Sequence, residues 1–490
     1  MLIISLEEEK YEYDIRAIIK AFYPEKMVAL ITPSINPAKK ADYLANISHA
    51  MQGMITFFED KIEIELEGFS YFLKIKKDFT SLQYKDDFKE FLYQTLSQHK
   101  GVVLPWGNMT GIRPTKVATT MIQKNATDMQ IREYYKGKHF VSDEKISLSI
   151  DIAHREHKLL SKLHCKDGFS LYIGIPFCPT TCLYCSFTSY PIGVHRKRVD
   201  RYIDCMIKEM DYVKEAYANK ILDTVYIGGG TPTTLEANQM DRLIRALKER
   251  FDFSTVQEFT VEAGRADSIT REKLEVLYGH DVNRISINPQ TMHDKTLKII
   301  GRNHTVHDVI EAYKLAREIG FDNINMDLIL GLPGELEEQV RETIEQVVSL
   351  NPDSLTVHSL AIKRASNLAN WIKEHDVLTL HNTDETMKIA VSGAQKLDMK
   401  PYYLYRQKNM SGNFENVGYA KDDKFGIYNI LIMEEIQTIV ALGAGSITKR
   451  VYEDGKIARC DNVKDVELYI ERIEEMIERK RQLLEEQLQE

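Results

Sequence analysis

From about residue 168 the chain alternates short apolar runs with longer amphipathic stretches. The short runs are "SLYIGI", "TVYIGG", "EFTVEA", "RISINP", "NINMDLIL" and "SLTVHSL". Between them lie "RYIDCMIKEMDYVKEAYA", "QMDRLIRALKERF", "TREKLEVLYGH", "HDVIEAYKLAREIG" and "LEEQVRETIEQVVSL", with apolar residues at helical spacing. Strand-like runs in strict alternation with helices predict βα units and a parallel sheet. Six such runs suit a partial (β/α)6 barrel of the TIM type, in which ligands sit at the C-terminal ends of the strands.

The loop chemistry agrees with that placement. A cysteine cluster follows the first run, and "GGGTPT" follows the second. "EAGR" ends the third, "NPQ" ends the fourth, and "GLPGE" follows the fifth. All of these polar or glycine-rich segments therefore point to one face.

Residues 1–165 have a different rhythm and predict an N-terminal α/β domain. Strand-like "MVALITP", "GMITFFED" and "KIEIELEG" precede helical "DDFKEFLYQTLSQHK" and "DEKISLSIDIAHREHKLLSKL". The barrel is expected over residues 166–400, and a mainly helical C-terminal region over 401–490. In the tail, Val466, Tyr469, Ile470, Ile473, Ile477, Leu484 and Leu488 fall on one helical face, and Glu475 and Arg479 form an i,i+4 pair on the other.

Charge and composition narrow the function. The net charge of −9 argues against a general nucleic-acid binder. The basic run "VHRKRVDRY" reads more readily as a solvated face than as a nucleic-acid patch. The first residues lack a basic segment followed by an apolar one, so no secretory leader is expected. The longest apolar candidate, "NILIMEEIQTIVALGAG", is interrupted by Glu434 and Glu435, so no membrane span is expected. The expected location is cytoplasmic, where thiols stay reduced and clustered cysteines point to a metal or redox site.

That cluster is "GIPFCPTTCLYCSF", with Cys178, Cys182 and Cys185. Cys165, Cys205 and Cys460 are remote in sequence. Four protein ligands saturate a structural zinc or an ordinary 4Fe–4S cluster. Three would leave one iron open to a small molecule that offers an amino and a carboxylate group, as reductive cleavage of S-adenosylmethionine (SAM) requires. A zinc site completed by His195 or another distant ligand is the alternative.

The segment from Tyr172 to Cys185 matches the pattern "Y-I-x-I-P-F-C-x-x-x-C-x-x-C". It resembles the radical SAM enzymes, most closely the oxygen-independent coproporphyrinogen III oxidase (coproporphyrinogen dehydrogenase) group and its HemZ-type branch, over roughly residues 168–450. The resemblance implies a 4Fe–4S cluster on Cys178, Cys182 and Cys185. It implies SAM contacts from Tyr172, Phe187, Gly229, Gly230, Thr231, Glu262, Gln290, Arg302 and Asp327. It also implies a tetrapyrrole substrate in porphyrin and haem biosynthesis, covered by the C-terminal region, and a reducing donor protein such as flavodoxin or ferredoxin. The activity implied is oxidative decarboxylation of coproporphyrinogen III to protoporphyrinogen IX by a 5′-deoxyadenosyl radical.

Some positions depart from that group. Ser186 and Phe187 follow the third cysteine, where the best-known members carry a further cysteine, and Gly174 replaces their histidine. Haem chaperones also resemble the cysteine pattern, but their "H-N-x-x-Y-W" is "ENVGYA" here, with Glu415 and Ala420 at the changed ends. A radical SAM enzyme that methylates or opens haem is a further alternative. Lys363, Arg364, Arg406 and Lys408 are candidate partners for substrate propionates. In "WGNMTGIRPTKVA", Arg113 and Lys116 could hold an anion at a helix start, although a structural turn is the stronger reading.

Overall fold

The computed structural model describes residues 1–24, 26–45, 50–75, 81–363, 366–375, 380–407 and 414–485. The chain divides into two compact units: residues 1–153 with 406–414, and residues 154–405 with 415–490. The division falls inside the helix Asp143–Leu160, upstream of the expected residue 165.

The first unit is built on a five-stranded sheet of β1 (Leu2–Leu6), β2 (Val28–Ile31), β3 (Met51–Phe57), β4 (Lys61–Leu66) and β5 (Phe69–Lys74), in the order β2-β1-β3-β4-β5. Alternation sets the face of β4: Ile62, Ile64 and Leu66 are buried while Glu63 and Glu65 point away from the core. The helix Glu12–Phe22 buries Ile15, Ile18, Ile19 and Phe22, one helical stripe, in the same core. Phe88, Leu92 and Leu96 of the helix Ser81–Lys100 join them. Sequence reading had missed β1, β5 and the helices Glu12–Phe22, Pro37–Ala45 and Asp128–His139, while the helix start offered at Arg113 and Lys116 leads into the helix Lys116–Gln123.

The second unit carries all the expected barrel strands. They are β6 (Gly168–Ile175), β9 (Ile221–Gly229), β10 (Glu258–Gly264), β11 (Arg284–Ile287), β12 (Ile324–Leu330) and β13 (Ser354–Ser359), with two short strands, β7 (Phe177–Cys178) and β8 (Tyr190–Pro191), between β6 and β9. Neighbours from β6 to β13 pair in parallel and in chain order. Helices cover the sheet, so these strands are buried almost end to end instead of alternating.

Residues 401–490 contribute both helices and strands. β14 (Lys400–Tyr405) and β15 (Asn416–Ala420) extend the sheet antiparallel beyond β13. β16 (Thr438–Leu442) pairs in parallel with β6, followed by antiparallel β17 (Ile447–Val451) and β18 (Ile457–Asp461). Short β-branched runs such as "TIVAL" lie between helical stretches and are easily read as part of them.

The tail forms two helices, Val466–Glu471 and Ile473–Glu485. The break at Arg472 turns the buried stripe, so Met476, Lys480 and Leu483 are buried where Ile477 and Leu484 had been expected; Leu488 lies outside the described residues. Glu475 and Arg479 do pair, at 2.6 Å. Among the described residues no helix is long and apolar enough to cross a membrane.

Candidate active site

The C-terminal ends of the barrel strands gather most of the candidate residues. Tyr172 on β6 is the register partner of Tyr226 on β9, and their rings stack at 6.2 Å. Tyr428 stacks on Tyr226 at 4.5 Å. The Tyr226 hydroxyl donates to Glu262 Oε1 at 2.6 Å. Burial pushes the Glu262 carboxyl up to about 7; the Tyr226 hydrogen bond opposes that rise and Asp327 adds to it.

After β9 the chain must pass close to β6 and the cysteine loop. Gly229 has φ +109°, a conformation that favours glycine. Gly230 donates its N–H to Ile175 O at 2.8 Å, and a Cβ at Gly230 would stand 2.6 Å from Phe177 O. Thr231 N–H follows with a bond to Phe177 O at 2.7 Å, and its Oγ1 lies 3.4 Å from Cys178 Sγ. The "GGGT" turn thereby fixes the strand that carries the first cysteine.

Cys178, Cys182 and Cys185 are free thiols. Hydrogen-bond donors and cations face the sulfurs and oppose the burial that raises the thiols. Arg265 Nη1 is 3.7 Å from Cys182 Sγ. Burial pushes the Cys178 thiol up to about 11, a rise that the Thr231 hydrogen bond opposes. Burial likewise raises the Cys185 thiol, against the Phe187 N–H, Ser189 and Lys363. The half-buried Lys363 has its ammonium 5.4 Å from the Phe187 ring, and Phe187 itself is 70% exposed. These donors fit thiolate ligands of an iron–sulfur cluster. Among the described residues no His, Cys, Asp or Glu trio forms a ready-made metal-ion site, so the fit rests on the chemistry around the sulfurs. His195 lies against the rings of Phe177 and Tyr190, at 5.9 and 5.4 Å.

Beyond the cysteines, Gln290 and Arg302 are buried, yet Gln290 Oε1 and Arg302 Nε have no hydrogen-bond partner within the described protein. Buried polar atoms are nearly always paired, so a polar ligand group fits here, as the SAM reading requires. Gln290 sits at φ +68° and is held by its own N–H on Asp327 O at 2.9 Å. Arg302 donates to Tyr184 Oη at 3.3 Å. Burial would raise the Asp327 carboxyl, but His358, 3.8 Å away, and Asn325 hold it below its ordinary value.

Arg406 is buried in the first unit, donating to Met109 O at 2.7 Å near the Trp106 ring. It counts with that unit because its backbone N–H is bonded to Ile112 O as well. Arg364 and Lys408 lie outside the described residues. The basic run is ion-paired, Arg196 with Glu236 at 3.2 Å and Arg198 with Glu467. Sequence reading overlooked Arg265 and Tyr226 as site residues; position at a strand end within "EAGR" was the signal for the first, and pairing opposite Tyr172 for the second.

Comparison with known proteins gives the family. Residues 172–347 match the Radical SAM superfamily. The oxygen-independent coproporphyrinogen-III oxidase-like protein HemZ of Bacillus subtilis is 43% identical over 402 residues, 81% of this chain and 80% of that protein. The heme chaperone HemW of Bacillus subtilis is 40% identical over 209 residues, 42% of this chain and only 54% of that protein. The structure of coproporphyrinogen III oxidase (HemN) from Escherichia coli superposes with a TM-score of 0.52 at 22% identity, covering 66% of this chain and 73% of that one. The chain is a radical SAM protein. Within that class it belongs to the HemZ family of oxygen-independent coproporphyrinogen-III oxidase-like proteins.

Proposed function

We propose that this protein catalyses oxygen-independent oxidative decarboxylation of coproporphyrinogen III to protoporphyrinogen IX in porphyrin biosynthesis. Two propionates become vinyl groups, each losing carbon dioxide, one hydrogen atom and one electron. When bound, the cluster and SAM supply one-electron cleavage and a 5′-deoxyadenosyl radical. Cys178, Cys182 and Cys185 hold the iron. Tyr172, Phe187, Gly229, Gly230, Thr231, Glu262, Gln290, Arg302 and Asp327 line the SAM site. A reducing protein such as flavodoxin or ferredoxin supplies the electron.

The observation that carries the substrate class is Lys363. Its ammonium is half-buried beside Phe187 and Cys185, at the edge of the cysteine loop. A cation there suits a carboxylate-bearing substrate. A haem chaperone is the second reading, favoured by the HemW likeness. Against it, the position of the chaperone histidine holds buried Glu415, and Ala420 is buried in β15. Haem methylation or ring opening is the third.

The test is anaerobic. The reconstituted protein is given reductant, SAM and coproporphyrinogen III, and the tetrapyrrole is followed by mass spectrometry. Stepwise loss of two carboxyl groups with matching 5′-deoxyadenosine supports the reading. Deoxyadenosine with unchanged porphyrinogen overturns the substrate assignment, and tight haem binding without turnover favours the chaperone.

A further inference from the structure

Arg265 is 2% exposed and stands at the end of β10. Its guanidinium is divided between two tasks. Nε and Nη2 face Asp267 at 3.0 and 2.6 Å, and Asp267 lies 3.6 Å from the buried His304. Nη1 faces the cysteine loop, with Thr180 O at 3.1 Å, Thr180 Oγ1 at 2.8 Å and Cys182 Sγ at 3.7 Å. Thr180 Oγ1 in turn donates to Gly301 O at 2.7 Å. A buried guanidinium needs acceptors on every edge, and here the Nη1 edge is shared between Thr180 and the Cys182 sulfur.

We propose that Arg265 is a positioning residue that holds Cys182 and tunes the iron–sulfur cluster to a higher reduction potential. This rests on the cluster reading above. The reduced cluster carries one more electron than the oxidised one. An N–H aimed at a ligand sulfur, carrying positive charge, stabilises that extra electron. Such outer partners orient the ligand and shift the cluster's electronics without touching iron. Asp267 occupies the far edge of the guanidinium and fixes its direction, so Nη1 cannot turn away from the loop.

The experiment is an EPR-monitored redox titration of reconstituted wild type, Arg265→Gln and Arg265→Lys, with iron and sulfide counted for each. In Arg265→Gln the iron content holds and the potential moves more negative. At a fixed solution potential its reduced-to-oxidised ratio falls about tenfold, which is ~59 mV for a one-electron couple. Arg265→Lys returns part of the shift. Full iron with an unmoved potential overturns the proposal. Should Arg265→Gln fail to fold, the double variant Arg265→Gln/Asp267→Asn removes the pair together; an unmoved potential, or loss of iron in this variant and in Arg265→Lys alike, assigns Arg265 a purely structural role. If wild type takes up no cluster, the cluster reading itself falls and takes this proposal with it. An intact wild-type cluster with an unmoved variant potential sinks this proposal alone.

Discussion

Tyr226 and Glu262 meet across adjacent barrel strands, the hydroxyl donating to the carboxylate at 2.6 Å. The burial that brings them together raises Glu262 from 4.5 to about 7. The folded state therefore binds more protons than the unfolded chain between those values, and this group's contribution to stability declines as pH rises from 4.5 to about 7. SAM binding is expected to follow the opposite course. In the proposed SAM site an ionised Glu262 accepts hydrogen bonds from the bound molecule better than a protonated one. SAM affinity measured by calorimetry is expected to rise through about pH 7 and level off above it. Glu262→Gln should flatten the profile. Tyr226→Phe removes a donor that holds the acid down and should move the midpoint upward. An unchanged midpoint in Tyr226→Phe would show that the pair does not govern binding.

Alanine at Cys178, Cys182 or Cys185 should abolish the cluster while far-ultraviolet circular dichroism stays native. Gly230→Ala should act on the same site by a different route. Its Cβ would meet Phe177 O at 2.6 Å and Ile175 O at 2.9 Å, both backbone atoms that cannot yield cheaply. SAM binding should weaken at least tenfold with iron retained. Wild-type affinity in Gly230→Ala would mean that the turn has slack.

Lys363 gives the substrate a separate test. Loss of a hydrogen bond to a charged group costs about 1.5–3 kcal/mol. Lys363→Ala should therefore raise the porphyrinogen KM by roughly 10- to 100-fold, since 1.4 kcal/mol is a factor of ten. Uncoupled formation of 5′-deoxyadenosine should persist. Lys363→Arg, which keeps the charge, should recover much of the loss. A fall in SAM cleavage without a change in KM would move Lys363 from substrate to cofactor.

The barrel was legible because each βα unit carries two independent signals, a continuous apolar run and a periodic helix. The loops were legible because glycine and cysteine have few cheaper uses at strand ends. Side-chain partnerships were not. Nothing in the spacing of "EAGR" says that Arg265 reaches Cys182, 83 residues away in sequence. The first unit was read less well because β5 is an edge strand with Phe69 and Phe72 exposed, and "EYDIRAIIKAF" opens without a side-chain cap on a left-handed Tyr11. The tail stripe failed at Arg472, where a break in the helix resets the phase and brings a lysine inward.

That lysine leads to the last prediction. Lys480 and Glu209 pair at 2.7 Å with side chains 1% and 0% exposed. Glu209 Oε1 also accepts from Asn462 at 2.9 Å, and its Oε2 accepts from Gly443 N–H at 2.8 Å and Tyr469 Oη at 2.5 Å. Every acceptor position is filled, so the pair costs little in unmet desolvation as long as both charges are present. Gly443 has φ +94°, and its Cα faces Gly174 O so closely that a Cβ would stand 2.4 Å away. The tail helix is thus tied through Glu209 to the turn that borders the first barrel strand. Lys480→Met strands a buried carboxylate and should destabilise the barrel unit by about 3–5 kcal/mol, read from its urea transition. Adding Glu209→Gln removes the uncompensated charge while its one amide oxygen still accepts from Gly443 and Tyr469, and should restore more than half of that loss. If Lys480→Met costs under about 1 kcal/mol, the range of an exposed pair, then water reaches this site and the tail is not locked down.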